Sequence, residues 1–295
     1  MPKLRSGLLP LLLLIAAVPL RADEFGDVVA KQHAARAGER LAALQSYYAE
    51  GRTLINNEVV PFRLWAQRPD RLLVESATGE RRVLQCFDGR HEPRISHTEL
   101  AQAAPQAMSP GDRKDFVANA DFDGPLVDYA AKGYTVDYAG ENDVGGRKAA
   151  KLLLMSAQND VLFLWVDAET HEIVKRAVFR ISRSGERRLV ETYFSDFREV
   201  GGVLQPHRVE TKIGDTTLYL MVVSKMEANS PQVTDERFAA PPGWPPYLKP
   251  VLPPPPPPAV VPSATPASEP PAKQNPDDSG RKPEDGPAKK EEPAK

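Results

Sequence analysis

The sequence is poor in cysteine and has no excess of charge of either sign. Cys86 is the single cysteine, which excludes a disulfide within the chain, so stability must come from a packed core. We expect Cys86 to be a buried, small apolar residue rather than a catalytic thiol. The 38 basic and 40 acidic residues give a formal net charge of -2, which provides no general attraction to nucleic acid or to an anionic membrane.

Common catalytic motifs are also missing. The sequence contains no glycine-rich phosphate loop, no His-Glu-x-x-His and no Gly-x-Ser-x-Gly. Its five histidines are scattered, and the acidic residues around Asp121 and Asp123 lack the Asp-x-Asp-x-Asp-Gly spacing of a calcium loop. We therefore expect no catalytic activity, no metal and no cofactor. Without a basic excess or interleaved surface aromatic residues, nucleic acid is not an expected partner.

The first 22 residues have the layout of a signal peptide. Lys3 and Arg5 precede the apolar run "GLLPLLLLIAAVPL", and a small residue, Ala22, follows it. We expect cleavage near Ala22 and export of the mature protein, since the run is short for a membrane span. An uncleaved N-terminal anchor is the alternative. A signal peptide alone does not distinguish the periplasm from secretion.

The last 55 residues, 241–295, differ in composition from the rest and hold 19 of the 30 prolines. Such a segment buries too little apolar surface to offset the entropy of ordering, so we predict a disordered tail. It can act as a spacer or as a docking site for an envelope partner, and the composition leaves both open. The predicted folded domain is therefore residues 23–240.

Within that domain, helical periodicity gives way to alternation. The start reads as helix with a break at Gly38, and later segments alternate apolar and polar residues around turns at Asn56-Asn57, Thr78-Gly79 and Gly214-Asp215. Such tight turns require antiparallel neighbours. The Ala-rich middle, residues 96–134, predicts a helix or two that cross the sheet or cover its open side. No βαβ alternation is visible, so the fold class is α+β.

Several strands carry apolar residues on both faces. In "VLFLWVD", Phe163 and Trp165 alternate with Leu162 and Leu164, and "TLYLMVV" behaves in the same way. Leu64 and Trp65 likewise point to opposite faces of one strand. A strand that is apolar on both faces is buried on both sides, so helices or a lid must pack inside the curve of the sheet. The interior is then either a filled core or a hydrophobic cavity.

Motifs in this order resemble the LolA-like family of outer-membrane lipoprotein-sorting proteins. "LWAQRP" is similar to the Leu-Trp-x-x-Arg-Pro turn of the periplasmic carrier family, and "QCFDGRHEP" is similar to its following strand. "LWVDAETHEIVKRAVF", "YFSDFREVGGVLQPHRVE" and "DERFAAPPGW" resemble later segments of the broader group. The resemblance runs from about Val28 to Pro242.

The resemblance implies an unclosed antiparallel β-barrel, a strongly curved sheet with helices over its open side. It further implies a monomeric periplasmic protein that binds lipoprotein acyl chains or another lipid, between an inner-membrane donor and an outer-membrane acceptor. The alternative is a sensor or scaffold module of the same fold whose tail engages an envelope partner. An enzyme acting on a lipid or glycan would need an acid/base pair for which the sequence offers no signal.

The resemblance also places a role on Arg68, which corresponds to the arginine that helps to hold the lid closed by bonding helix carbonyls. Together with the apolar strands, it gives the expected ligand-binding residues, which are Leu64, Trp65, Arg68, Phe163, Trp165, Leu218 and Leu220.

Overall fold

A computed structural model describes residues 22–35, 38–97, 104–181 and 185–249, all within the first of two compact units of the chain, residues 1–254. All of the predicted signal peptide except Ala22, and most of the predicted tail, lie outside the described residues. Two helices come first, α1 (Ala22–Ala35) and α2 (Gly38–Ala43), separated just before Gly38 as the sequence indicated.

Two strand series follow, separated by a helix. The first series is β1 (Ser46–Ile55), β2 (Glu58–Gln67), β3 (Arg71–Thr78), β4 (Arg81–Phe87), β5 (Arg94–His97) and β6 (Gln106–Ala107). Helix α3 (Pro110–Ala120) comes next. The second series is β7 (Tyr134–Val144), β8 (Arg147–Ser156), β9 (Val161–Asp167), β10 (Ile173–Ile181), β11 (Arg187–Val200), β12 (Val203–Ile213) and β13 (Thr216–Ala228). The short helix α4 (Asp235–Phe238) ends the series.

The thirteen strands form one antiparallel sheet that is not closed. Its order is β6-β5-β4-β3-β2-β1-β13-β12-β11-β10-β9-β8-β7, so the two series meet where β1 pairs with β13. This confirms the antiparallel, unclosed sheet expected from the sequence. Strands β6 and β7 are the two edges, and α3 lies between them in the chain.

Local chemistry explains the tight geometry at several points. Asn56 and Asn57 both have positive φ, at 49° and 63°, which suits the two-residue turn between β1 and β2. Gly51 lies at a register shift between β1 and β13, where a Cβ would come within 2.1 Å of the Val222 carbonyl oxygen. Ser109 caps α3 by accepting a hydrogen bond from the Asp112 amide, and Pro110 occupies the first turn.

The sheet has two faces, which we name by what packs on them. Paired residues of neighbouring strands project to the same side, so the strand register defines which residues lie on each face of the whole sheet. On the helix face, Leu64 and Leu72 of the first series pack against α2 and α3, and Leu152 and Leu164 of the second pack against Val28 of α1. On the back face lie residues such as Trp65, Leu73, Cys86, Trp165 and Ala177.

The packed chain continues past the boundary predicted at Ala240. The Trp244 indole nitrogen donates a hydrogen bond to the Glu92 carbonyl at 2.8 Å, and the Tyr247 ring packs edge-on against Phe87 at 5.2 Å. The Pro-rich composition conceals these two aromatic side chains. They give residues 241–249 enough apolar surface to pack against the sheet, unlike the rest of the predicted tail's composition.

Candidate functional site

The adjacent residues Leu64 and Trp65 point to opposite faces, as the sequence indicated. Leu64 is partly buried on the helix face, where it packs against the cluster that contains Ala66 and Phe116. Trp65 is 2% exposed on the back face, beneath Phe238 of α4 and beside Tyr48 at 5.5 Å between ring centroids. Trp65 therefore belongs to a packed layer, separated by the sheet from Leu64.

The other predicted apolar residues also lie away from Leu64. Phe163 and Trp165 are on the back face, where their ring centroids are 6.2 Å apart and Lys151 lies over both rings. Leu220 projects to the same side, opposite its neighbour Met221, and Leu218 lies at a register shift between β12 and β13. The seven predicted residues therefore do not form one site, and of these seven only Leu64 and Arg68 lie beside α2 and α3.

Arg68 joins three parts of the chain. Its Nε donates to the Leu44 carbonyl at 2.7 Å and its Nη2 to the Leu41 carbonyl at 2.5 Å, which are the helix-carbonyl bonds that the family resemblance implied. Its Nη1 pairs with the Asp123 carboxylate, and the guanidinium lies 4.8 Å from the Phe122 ring centroid. One side chain thus ties the end of β2 to α2 and to the segment after α3.

The middle of the helix face differs from its ends. Five half-buried apolar or aromatic residues extend from β10 to β13 and belong to none of the buried clusters in the described chain. We call them the central strip: Val178, Val190, Phe194, Val209 and Tyr219. Val178 pairs with Val190 and Phe194 pairs with Val209, and Tyr219 pairs with Thr211, whose hydroxyl is hydrogen-bonded to that of Thr192 between the two pairs. The strip therefore spans four strands.

Helix α3 reaches the margin of the central strip through polar side chains. Arg180 donates to the Asp115 carboxylate from Nε at 2.9 Å and forms a second, short bond from Nη2. Arg176 donates from Nη2 to the Asn119 side-chain oxygen at 2.8 Å. Burial lowers the pKa of both guanidinium groups, as expected for cations that have lost part of their water.

Sequence reasoning did not select the central strip or these arginines as a site. The signal was present, because Arg176 and Arg180 alternate with Ala177 and Phe179 in "EIVKRAVFRIS". Alternation separates the two faces of a strand but does not say which of them the helices cover. The polar-looking face turns out to be the helix face.

Two surface clefts lie elsewhere. One of about 560 Å³ on the back face is lined by Arg52, Arg63 and Glu75, and one of about 690 Å³ lies between α1 and residues 126–131. Neither contains a predicted site residue or a member of the central strip.

In the described part of the chain, no group of three or more His, Cys, Asp or Glu side chains is placed to hold a metal. None of the described helices is both long and apolar enough to span a bilayer.

Comparisons with known proteins identify the fold. No protein-family model matches the sequence, and no curated protein matches it. A DUF1329 family protein from Desulfovibrio piger aligns with a TM-score of 0.52 at 13% identity, over 72% of this chain and 97% of its own. A putative outer membrane lipoprotein-sorting protein domain from Vibrio parahaemolyticus aligns with a TM-score of 0.50 at 10% identity, over 72% and 94%.

A LolA superfamily protein from Nitrosomonas europaea aligns with a TM-score of 0.47 at 13% identity, over 73% of this chain and 97% of its own. At these identities a structural likeness shows the fold and nothing more. That fold, an unclosed antiparallel sheet shared with a lipoprotein-sorting domain, is LolA-like, as the motifs of the sequence indicated.

Proposed function

We propose that this protein binds acyl chains, of a lipoprotein or of another lipid, between α3 and the central strip of its helix face. The observation that carries the proposal is the central strip itself. Its five half-buried apolar side chains lie outside every packed cluster of the described chain, and α3 meets their margin on β10 through polar contacts. An apolar ligand would supply the packing partner that these side chains lack.

The contacts of α3 suit a cover that opens. On the β3 and β4 side, Phe116 and Ala120 are packed into a buried cluster, whereas on the β10 side the helix is held by Asp115 and Asn119. A hydrogen bond to a charged group contributes about 1.5–3 kcal/mol. Burial of an acyl chain contributes about 0.8 kcal/mol per methylene, so a chain of ordinary length offsets the loss of these bonds.

Arg68 would oppose opening in this proposal. Its bonds to the carbonyls of Leu41 in α2 and of Leu44 just after it, and to Asp123, hold the segment after α3 against the sheet. The protein would then bind and release its ligand without changing it chemically. The predicted signal peptide and the fold shared with a lipoprotein-sorting domain support a role in the periplasm, as a monomer between an inner-membrane donor and an outer-membrane acceptor.

The first test is lipid-extraction mass spectrometry of the protein purified from its native envelope, followed by titration of delipidated protein with a fluorescent acyl-chain probe. We expect co-purified lipid or lipopeptide, recovered chemically unchanged, and saturable probe binding. Recovery of no lipid together with no probe binding would contradict the proposal and favour an interaction module with a filled interior.

Arg68→Leu tests whether α3 and the segment after it form a cover that Arg68 holds closed. Because the variant destabilises the closed state, the apparent affinity for the probe should rise by up to about tenfold. Arg63→Leu is the matched control: Arg63 is on β2, the strand that leads to Arg68, but its side chain is 48% exposed and pairs with Glu75 on the back face. Equal affinities for the wild type and both variants would remove Arg68 from the mechanism.

A further inference from the structure

Arg176 is a half-buried cation for which the described residues provide no anionic partner. Its one hydrogen bond among the described residues is to the neutral Asn119 side chain, and its guanidinium carbon lies 5.9 Å from the Phe194 ring centroid. In the described chain, no carboxylate forms an ion pair with it. A cation that has lost part of its water is stabilised by a nearby anion, and the described residues supply none to Arg176.

Arg180, four residues further along the same strand, is paired with a carboxylate. Its guanidinium forms two hydrogen bonds to the Asp115 carboxylate of α3. A third arginine on the helix face, Arg188, is paired with Glu186. Arg180 and Arg188 thus each have a carboxylate partner. Arg176 has none among the described residues.

The position of Arg176 connects this charge to the central strip. Arg176 pairs across the strands with Thr192, and it precedes Val178 on the same face of β10. Phe194, a member of the strip, lies beneath its guanidinium. A cation at the margin of an apolar strip matches a ligand that has an anionic group at one end and a hydrocarbon chain at the other.

We propose that the ligand of this site is an anionic amphiphile whose carboxylate or phosphate headgroup is bound by Arg176, with its chain along the central strip. This inference rests on the proposed function and names the class of ligand. The planar guanidinium can donate two parallel hydrogen bonds to a carboxylate or a phosphate, and Asn119 orients it from the side of α3. The bound anion replaces the solvent that Arg176 has lost.

The test compares a fluorescent polyene fatty acid, cis-parinaric acid, with its methyl ester on the delipidated mature protein. The two probes share one chain and differ only in the charge of the headgroup. We expect the acid to bind about tenfold more tightly than the ester, which corresponds to about 1.4 kcal/mol. In Arg176→Gln this preference should vanish, whereas the affinity for the ester should not fall, because loss of the bond to Asn119 weakens only the closed state.

Two further variants keep the test decisive. Arg188→Gln removes an equal charge from the helix face of the neighbouring strand, where Arg188 is half exposed, and should retain the preference for the acid. Arg176→Lys keeps the charge and should retain part of the preference, which provides a reading if Arg176→Gln does not fold. Displacement of the bound probe by laurate and by dodecyl phosphate then separates a carboxylate headgroup from a phosphate one.

The outcomes are distinguishable from those of the proposed function. Equal binding of acid and ester to the wild type would overturn the role of Arg176 and leave acyl-chain binding standing. A preference for the acid that persists in Arg176→Gln would also overturn it, by placing the headgroup elsewhere. Binding of neither probe would overturn both proposals.

Discussion

The two halves of the helix face are built differently, although one sheet forms both. Over β2, β3 and β4, α2 and α3 contribute Leu41, Phe116 and other side chains to a buried apolar cluster. Over β10, the contacts of α3 are an ion pair and a hydrogen bond, and the apolar side chains below it stay half-buried. We call these the filled half and the open half.

Under the proposed function, this difference would let one helix be anchored on one side and released on the other. Dispersion and burial hold α3 in the filled half, and these interactions are lost only when the core is broken. In the open half α3 is held by directional polar bonds that water can replace at modest net cost. Movement of α3 about the filled half would expose the central strip without unfolding the sheet.

The largest effect should come from damage to the filled half. Phe116 is 8% exposed in the cluster that joins α3 to the sheet. We expect Phe116→Ala to lower the free energy of unfolding by about 3–5 kcal/mol, since it leaves a cavity in a packed core. Denaturant unfolding followed by circular dichroism measures this. A loss below about 1 kcal/mol would mean that the filled half is loosely packed, and the comparison would fail.

Asp115→Asn removes a contact of the open half and should have an intermediate effect on stability. It removes the carboxylate that Arg180 uses to hold α3, so we expect a loss of about 1–2 kcal/mol in the free energy of unfolding. The same change should raise the apparent affinity for an acyl-chain probe, because the closed state is weakened. Asp112→Asn, in the exposed first turn of α3, is the control. Weaker probe binding in Asp115→Asn would argue that α3 must stay closed to bind.

Low pH should lower the free energy of unfolding through Asp88, which directly follows Phe87 of the filled half. Burial by itself raises the pKa of Asp88, but hydrogen bonds from the His91 and Arg90 amides and from the His91 ring outweigh it and hold that pKa below its usual value. The carboxylate therefore contributes stability above about pH 4, the unfolded pKa, and the contribution is lost as pH falls through the folded pKa. Asp88→Asn should unfold more easily at neutral pH and show a flatter acid dependence. Parallel pH profiles for wild type and variant would contradict this.

The smallest effect on stability should come from the central strip. Phe194 is half-buried and packs in none of the buried clusters of the described chain, so Phe194→Ala should cost less than about 1.5 kcal/mol in the free energy of unfolding. It should nonetheless weaken binding of an acyl-chain probe severalfold. The back-face residue Phe179, 37% exposed, offers a matched control in Phe179→Ala, which should leave the probe affinity unchanged.

Local features of the fold followed from the sequence, and long-range ones did not. The break before Gly38, the Asn56-Asn57 turn and the opposite directions of Leu64 and Trp65 depend on neighbouring residues, and the structure contains all three. Which face the helices cover depends on the pairing of β1 with β13, about 180 residues apart in the chain. Phe163 and Trp165 were therefore selected as ligand-binding residues, although they lie on the back face.

The central claim is that the ligand occupies the central strip, and photo-crosslinking tests it most directly. Delipidated protein would be irradiated with a fatty acid that carries a diazirine along its chain, and the labelled residues mapped by peptide mass spectrometry. The account predicts labels on α3 and on the helix-face residues of β10–β13, such as Val190, Phe194 and Val209. Labels confined to the back face around Phe163 and Phe179 would contradict it, because they would place the ligand on the opposite side of the sheet.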